Sequence, residues 1–123
     1  MEADQQRGQT VYKVLARDLW EKAEREGRFA GSGIDLTDGF IHFSTAEQVR
    51  ETVARHFAGK EDLVLVAVTG EALMAKAGSA YRYEPSRGGA MFPHLYAEMP
   101  MDAVAWVRPL PLGANGTHVF PPL

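Results

Sequence analysis

Two short stretches of the chain concentrate side chains that can do chemistry. The first is Gly39-Phe40-Ile41-His42-Phe43-Ser44-Thr45, an imidazole and two hydroxyls directly ahead of a helical pattern. Period-two alternation sends Phe40, His42 and Ser44 to one face of a strand and Ile41 and Phe43 to the other. His42 then stands beside a helix N-terminus, whose unpaired N–H groups and positive dipole suit an anionic ligand. Flanked by Ile41 and Phe43, its ring is expected in largely apolar surroundings on at least one side, neutral at pH 7 and held by a hydrogen bond from one nitrogen. The rival reading makes His42 a structural histidine and Ser44 a helix cap.

The second stretch runs from Tyr83-Glu84-Pro85-Ser86-Arg87-Gly88-Gly89 to Phe92-Pro93-His94-Leu95-Tyr96. It gathers a carboxylate, a guanidinium, an imidazole, phenols, a hydroxyl and paired glycines. Arg87 can grip a phosphate or carboxylate through two parallel bonds, and Gly88 and Gly89 let backbone approach a ligand closely. Glu84 at a strand end can orient a ribose hydroxyl or act as a base. The bland alternative is a surface hairpin with a solvated arginine.

Sharper signatures are missing. The sequence has no phosphate loop ending in Gly-Lys-Ser/Thr, no dinucleotide fingerprint and no helical His-Glu-x-x-His pair. A metal held by His42, His56 and His94 follows no spacing rule, and no metal site is assigned. His118 falls in an irregular tail and reads as solvated. Ser44 lacks a nucleophile-elbow context, so a hydrolase triad is not supported.

The 123 residues suit one domain, 46% of them apolar and 24% charged. Thirteen basic against sixteen acidic residues give a net charge of -3, which disfavours extended nucleic acid as a partner. Without cysteine there are no disulfides, thiolate nucleophiles or cysteine-ligated metals, a usage that fits a reducing cytoplasm. No apolar run is long enough to span a membrane, and Met1 to Thr10 lacks the apolar core of a signal peptide. Residues 1–10 read as a loose tail, and residues 11–123 as one domain. The oligomeric state cannot be read.

Strands and helices alternate between these ends. Val11 to Leu15 reads as a strand, and Arg17 to Glu26 as a helix with Leu19, Trp20 and Ala23 on its apolar face and Gly27 just past its end. Phe29 to Asp38 reads as a long loop, and Gly39 to Ser44 as the second strand. Ser44 with Glu47, or Thr45 with Gln48, forms a capping box for a helix whose apolar stripe is Val49, Val53, His56 and Phe57. Leu63 to Val68 is a continuous apolar run, the pattern of a central strand covered on both faces. A short helix over Glu71 to Ala77, strands at Ala80 to Glu84, Pro93 to Tyr96 and Ala103 to Val107, and coil from Pro109 to Leu123 complete the reading. The fold class is α+β, with a mostly antiparallel sheet and two main helices.

The strings Asp38-Gly39-Phe40-Ile41-His42-Phe43-Ser44-Thr45 and Gly88-Gly89-x-x-Phe92-Pro93-His94-Leu95-Tyr96 resemble a small bacterial family, the domain of unknown function 952. Tyr12-Lys13, Trp20, the loop Gly31 to Asp38 and the Leu63 to Val68 strand share the likeness, which covers roughly residues 11 to 110. The resemblance implies an ADP-ribosyltransferase-like fold, a split antiparallel sheet around a cleft for NAD. His42 and Ser44 match that fold's early His-Gly-Ser/Thr motif, with Phe43 in place of the glycine, and Glu84 matches the later acid. It implies catalytic roles for His42 and Glu84, and a ligand-binding set of Tyr12, Ser44, Thr45, Arg87, Gly88, Gly89, His94 and Tyr96. The implied partner is a small nucleotide-like ligand, with NAD, ADP-ribose or a 2′-phosphate nucleotide as substrate; a related branch that removes 2′-phosphates from RNA suggests parts for Arg55 and Arg87. No cofactor is otherwise implied. The alternative is a non-catalytic module for a small nucleotide or anionic metabolite, and a third reading makes the polar cluster structural.

Overall fold

The computed structural model describes residues 9–123, the side chain of Arg87 excepted. Most of the expected tail, residues 1–8, lies outside this range. Thr10 opens the first strand, and Gln9 is tied in by a bond from its Nε2 to the Tyr83 hydroxyl at 3.1 Å.

The described residues form nine strands, β1 (Thr10–Ala16), β2 (Arg28–Phe29), β3 (Ile41–His42), β4 (Ser44–Thr45), β5 (Leu63–Thr69), β6 (Tyr81–Pro85), β7 (Met91–Leu95), β8 (Met99–Pro100) and β9 (Val104–Leu110). They also form four helices, α1 (Arg17–Glu26), α2 (Ile34–Asp38), α3 (Val49–His56) and α4 (Gly70–Ala77); the two main helices and the short one after β5 were expected, whereas α2 lies in the stretch Phe29 to Asp38 read as a loop. All pairing is antiparallel. A four-stranded sheet runs β4-β1-β5-β9, a three-stranded sheet β3-β7-β6, and β2 pairs with β8. The molecule is thus α+β with a split antiparallel sheet.

The apolar run of β5 is explained by its position between β1 and β9 with both faces covered. Val64, Val66 and Val68 join a cluster with Leu15, Phe29, Ile41, Phe43, Tyr81 and Leu95, which links the two larger sheets. Leu63, Leu65 and Ala67 face a second cluster with Tyr12, Val14, Val49 and Val53, closed by α3. Gly27 ends α1 in the left-handed conformation (φ 80°) and bonds back to Ala23 and Glu24. Leu19, however, is 45% exposed and does not belong to the buried stripe of Trp20 and Ala23.

Other expectations need correction. The second strand is broken at Phe43, whose ring enters the core while the chain crosses from the three-stranded to the four-stranded sheet. His42 therefore pairs with His94, whereas Ser44 pairs with Tyr12, and the alternation expected across them does not hold. Thr45 and Gln48 bond reciprocally, Gln48 Oε1 accepting from Thr45 N at 3.1 Å, but the helix begins only at Val49 and His56 is exposed. Pro109 and Leu110 extend β9, an edge strand that tolerates a missing N–H. His118 is buried, with Nε2 2.7 Å from the Lys60 carbonyl.

One buried ion pair joins the pieces. Lys13 lies on the β1 face that carries Val11 and Leu15, so its ammonium enters the junction between the sheets, 2.7 Å from Asp35. Asp35, 2% exposed, also accepts from Ser32 N at 3.1 Å and His42 N at 3.0 Å. Lys13 donates in addition to the His42 carbonyl at 3.0 Å. Gly31 makes room: a Cβ there would sit 2.9 Å from Asp35 Cβ. Burial opposes the charge on Asp35, but the hydrogen bonds from His42 and Lys13 and the lysine's charge outweigh it and hold its pKa at about 2, against an ordinary 3.8. Burial pulls Lys13 down from its usual value, partly offset by Asp35.

Asp35 is ionised more readily in the folded than in the unfolded chain. Its contribution, about 2–3 kcal/mol, is present above pH 4 and fades as pH falls toward 2. Asp35→Asn leaves the buried lysine without its counter-charge and should cost about 3–5 kcal/mol in urea denaturation at pH 7. The variant should also lose the part of the acid sensitivity that lies between pH 4 and 2; an unchanged midpoint at pH 7 would show that the pair does not hold the sheets together.

Candidate functional site

The outer face of the three-stranded sheet carries the polar residues that the alternation of β3, β6 and β7 leaves pointing away from the core. His42 on β3, His94 on the central β7 and Arg82 on β6 are register partners and share this face, with Glu84 two residues further along β6. Ile41, Leu95 and Tyr81 point the other way, into the core. The two imidazole rings lie 5.3 Å apart edge to face.

Each histidine is clamped through Nδ1 by a carboxylate. His94 Nδ1 is 2.8 Å from Glu84, which also accepts from the Tyr96 hydroxyl at 2.7 Å. Both bonds hold the Glu84 pKa below the ordinary carboxylate value. Burial pushes His94 below the usual histidine pKa of 6.5, against the raising effect of Glu84 and helped by the charge of His42. A neutral His94 that donates from Nδ1 to Glu84 leaves Nε2 as an acceptor, and Nε2 has no protein partner among the described residues.

His42 differs. Its Nδ1 is 2.6 Å from Asp35 and its Nε2 3.0 Å from Asp38. A carboxylate only accepts, so whichever ring nitrogen carries a hydrogen donates to the carboxylate it faces. Where a hydrogen bond from one nitrogen was expected, both ring nitrogens face a carboxylate. Phe40 packs against His42, His94 and Tyr96 together, and the Arg82 guanidinium lies 4.7 Å from the centre of the Tyr96 ring.

Of the residues proposed from sequence, the fold therefore brings His42, Glu84, His94 and Tyr96 together. Ser44 and Tyr12 belong to the other sheet: the Ser44 hydroxyl meets Thr52 on α3 at 2.9 Å, and Tyr12 packs against Trp106 with its pKa raised, first by burial and then by Glu47. Thr45 is buried opposite Val11. Gly88 and Gly89, both in the left-handed region, form the turn of the β6–β7 hairpin beyond the Pro85–Met91 pair. Arg87 lies in the same turn; its side chain is outside the described residues. Arg55 is exposed on α3 and paired with Glu51. Asp35, Asp38 and Arg82 were not singled out from sequence, although Asp38 opens one of the two motif strings.

Among the described residues no cluster of three or more metal-ligating side chains occurs, and no helix is long and apolar enough to cross a membrane. A cavity of about 400 Å³ lies elsewhere, lined in part by Arg50, Val53, His118 and Phe120.

No curated protein matches the chain significantly. Solved structures do. The crystal structure of protein CC0527 from Caulobacter crescentus is 45% identical, covering 89% of this chain and 93% of that one, with a TM-score of 0.82. A double mutant of the same protein (44% identity, TM-score 0.82) and its solution structure (45%, TM-score 0.77) agree over similar spans. A family profile described as "Protein of unknown function (DUF952)" matches residues 14–107. The chain belongs to this family of unknown function, the domain of unknown function 952.

Proposed function

We propose that the outer face of the three-stranded sheet binds a small nucleotide-like ligand and that His94 acts on it as a general base. The observation that carries this reading is the pair of carboxylate-clamped histidines standing opposite each other on β3 and β7. A carboxylate on Nδ1 fixes both the tautomer and the direction of the ring, and presents Nε2 to a substrate. The burial that keeps His94 neutral keeps that nitrogen able to take a proton near pH 7.

In this reading the chain has an ADP-ribosyltransferase-like fold and acts on NAD, ADP-ribose or a 2′-phosphate-type nucleotide. His42 would orient the ribose, as the family resemblance suggests. Glu84 would serve as positioning residue for His94 and stabilise the imidazolium formed when His94 takes the acceptor's proton, rather than act as the base itself. Arg82 is the described cation nearest to a role with phosphate, being on the same face as both histidines. A second reading, a non-catalytic module for a small nucleotide or anionic metabolite, is favoured by Phe43. Its buried ring stands where ADP-ribosyltransferases carry a glycine whose backbone meets the nicotinamide amide.

Thermal shifts with NAD, ADP-ribose, mononucleotides and 2′-phosphorylated ribonucleotides test binding; a ligand at 100 times its Kd should stabilise the protein by about 2.7 kcal/mol. For an enzyme, His94→Ala should lower turnover by about 10²-fold or more while ligand still binds, and Glu84→Gln should lower it in the same direction. The acid limb of activity should fall below the ordinary histidine value of 6.5, because burial holds His94 neutral to lower pH. If both variants change affinity alone, the protein is a binding module; if no ligand in the panel shifts the parent, the nucleotide reading fails.

A further inference from the structure

The ring of Phe40 occupies an unusual place. Its centre lies 4.4 Å from His42, 4.3 Å from His94 and 4.9 Å from Tyr96, with interplanar angles of 41°, 33° and 38°. These are close, tilted ring contacts, and three planar groups, from β3, β7 and the residue just past β7, converge on one ring.

The backbone beneath this ring is not part of the sheet. The β3–β7 register begins at Ile41 opposite Leu95, so Phe40 stands outside the ladder. It follows Gly39, the left-handed residue (φ 86°) that ends α2, and these two residues alone connect α2 to β3. Ile41 and Phe43 are fixed in the core, whereas Phe40 is half-buried on the opposite face. The ring of Phe40 is thus held by side-chain contacts and not by strand pairing of its own residue.

Resting on the nucleotide reading above, we infer that His42, His94 and Tyr96 form a subsite for the planar heteroaromatic ring of the ligand, and that Phe40 is its resident occupant. The ligand's ring takes the place of the phenyl ring when Phe40 turns away about Gly39. His94 is 4% exposed with Phe40 seated, so the same turn of Phe40 that admits the ligand's ring also uncovers His94 for the proton transfer described above. Three stacking surfaces select a flat ring, and a sugar phosphate without one gains nothing there. Binding is accordingly weakened in the parent protein by the fraction of molecules in which Phe40 is seated.

Calorimetric titration of the parent, Phe40→Ala and Phe40→Leu with ADP-ribose and with ribose 5-phosphate tests this. Phe40→Ala should bind ADP-ribose about tenfold more tightly, with ribose 5-phosphate unchanged. Phe40→Leu keeps apolar bulk without a flat face, should lie between, and guards against a folding defect in the alanine variant. Equal or weaker binding of ADP-ribose by both variants would overturn the subsite and make Phe40 a wall of the site, leaving the nucleotide reading intact. Equal tightening for ribose 5-phosphate would overturn the selection for a ring. If ADP-ribose binds neither parent nor variants, the nucleotide reading falls and the subsite with it.

Discussion

A single buried carboxylate decides how the two larger sheets meet. Asp35 takes hydrogen bonds from Lys13 on β1, from Ser32 in the loop and from the backbone and ring of His42 on β3. An isolated charge at 2% exposure would cost several kcal/mol, and the arrangement offsets that cost by bringing the lysine to it and saturating both oxygens with donors. The consequences reach the site directly. The residue that locks the sheet junction also holds the Nδ1 of His42, so the position of one functional ring is set by the same contact that sets the fold. Gly31 belongs to this device, because any side chain there would meet Asp35.

The two histidines show how environment assigns different tasks to one residue type. His94 is buried on the central strand with a single carboxylate, and desolvation favours its neutral form. His42 is more open and faces two carboxylates. Their register pairing makes the difference useful: an acceptor nitrogen and a ring held at both of its nitrogens stand side by side on one face. Glu84 and Tyr96 serve the first ring, Asp35 and Asp38 the second, and Phe40 spans both. None of this requires a deep cleft; it requires two strands whose polar residues fall in phase.

How much of this was legible in the sequence depended on range. The Leu63 to Val68 run declared its burial because every residue is apolar, and Gly27 marked a helix end through local backbone chemistry. Glu84, His94 and Tyr96 could be read together because they lie on one hairpin, the first two on its neighbouring strands and Tyr96 just past the end of the second, where alternation survives. Alternation failed at Phe43, since an apolar residue there fits a continuous strand as well as a crossing between sheets. Ser44 was consequently placed with His42 although it belongs to the other sheet, as does Tyr12, which only the resemblance had joined to the site. Asp35 and Asp38 sat in a glycine-rich segment where aspartate ordinarily serves turns and solvent. Lys13 likewise looked like an ordinary strand residue, and only its distant partner makes it buried. His118 was hidden the same way, in a proline-rich segment whose irregular backbone still packs against Lys60.

Amide hydrogen exchange on Asp35→Ala, compared with the parent under conditions where both remain folded, tests most directly the claim that this carboxylate organises junction and site together. Protection at the His42 and Ser32 amides should collapse, because their acceptor is gone, and the neighbouring β3–β7 pairing around His94 should weaken with it. Amides of β5 in the four-stranded sheet, paired on both sides by β1 and β9, should keep theirs. Undiminished protection at His42 would contradict the account, since the ring and its strand would then be held in place by something other than Asp35.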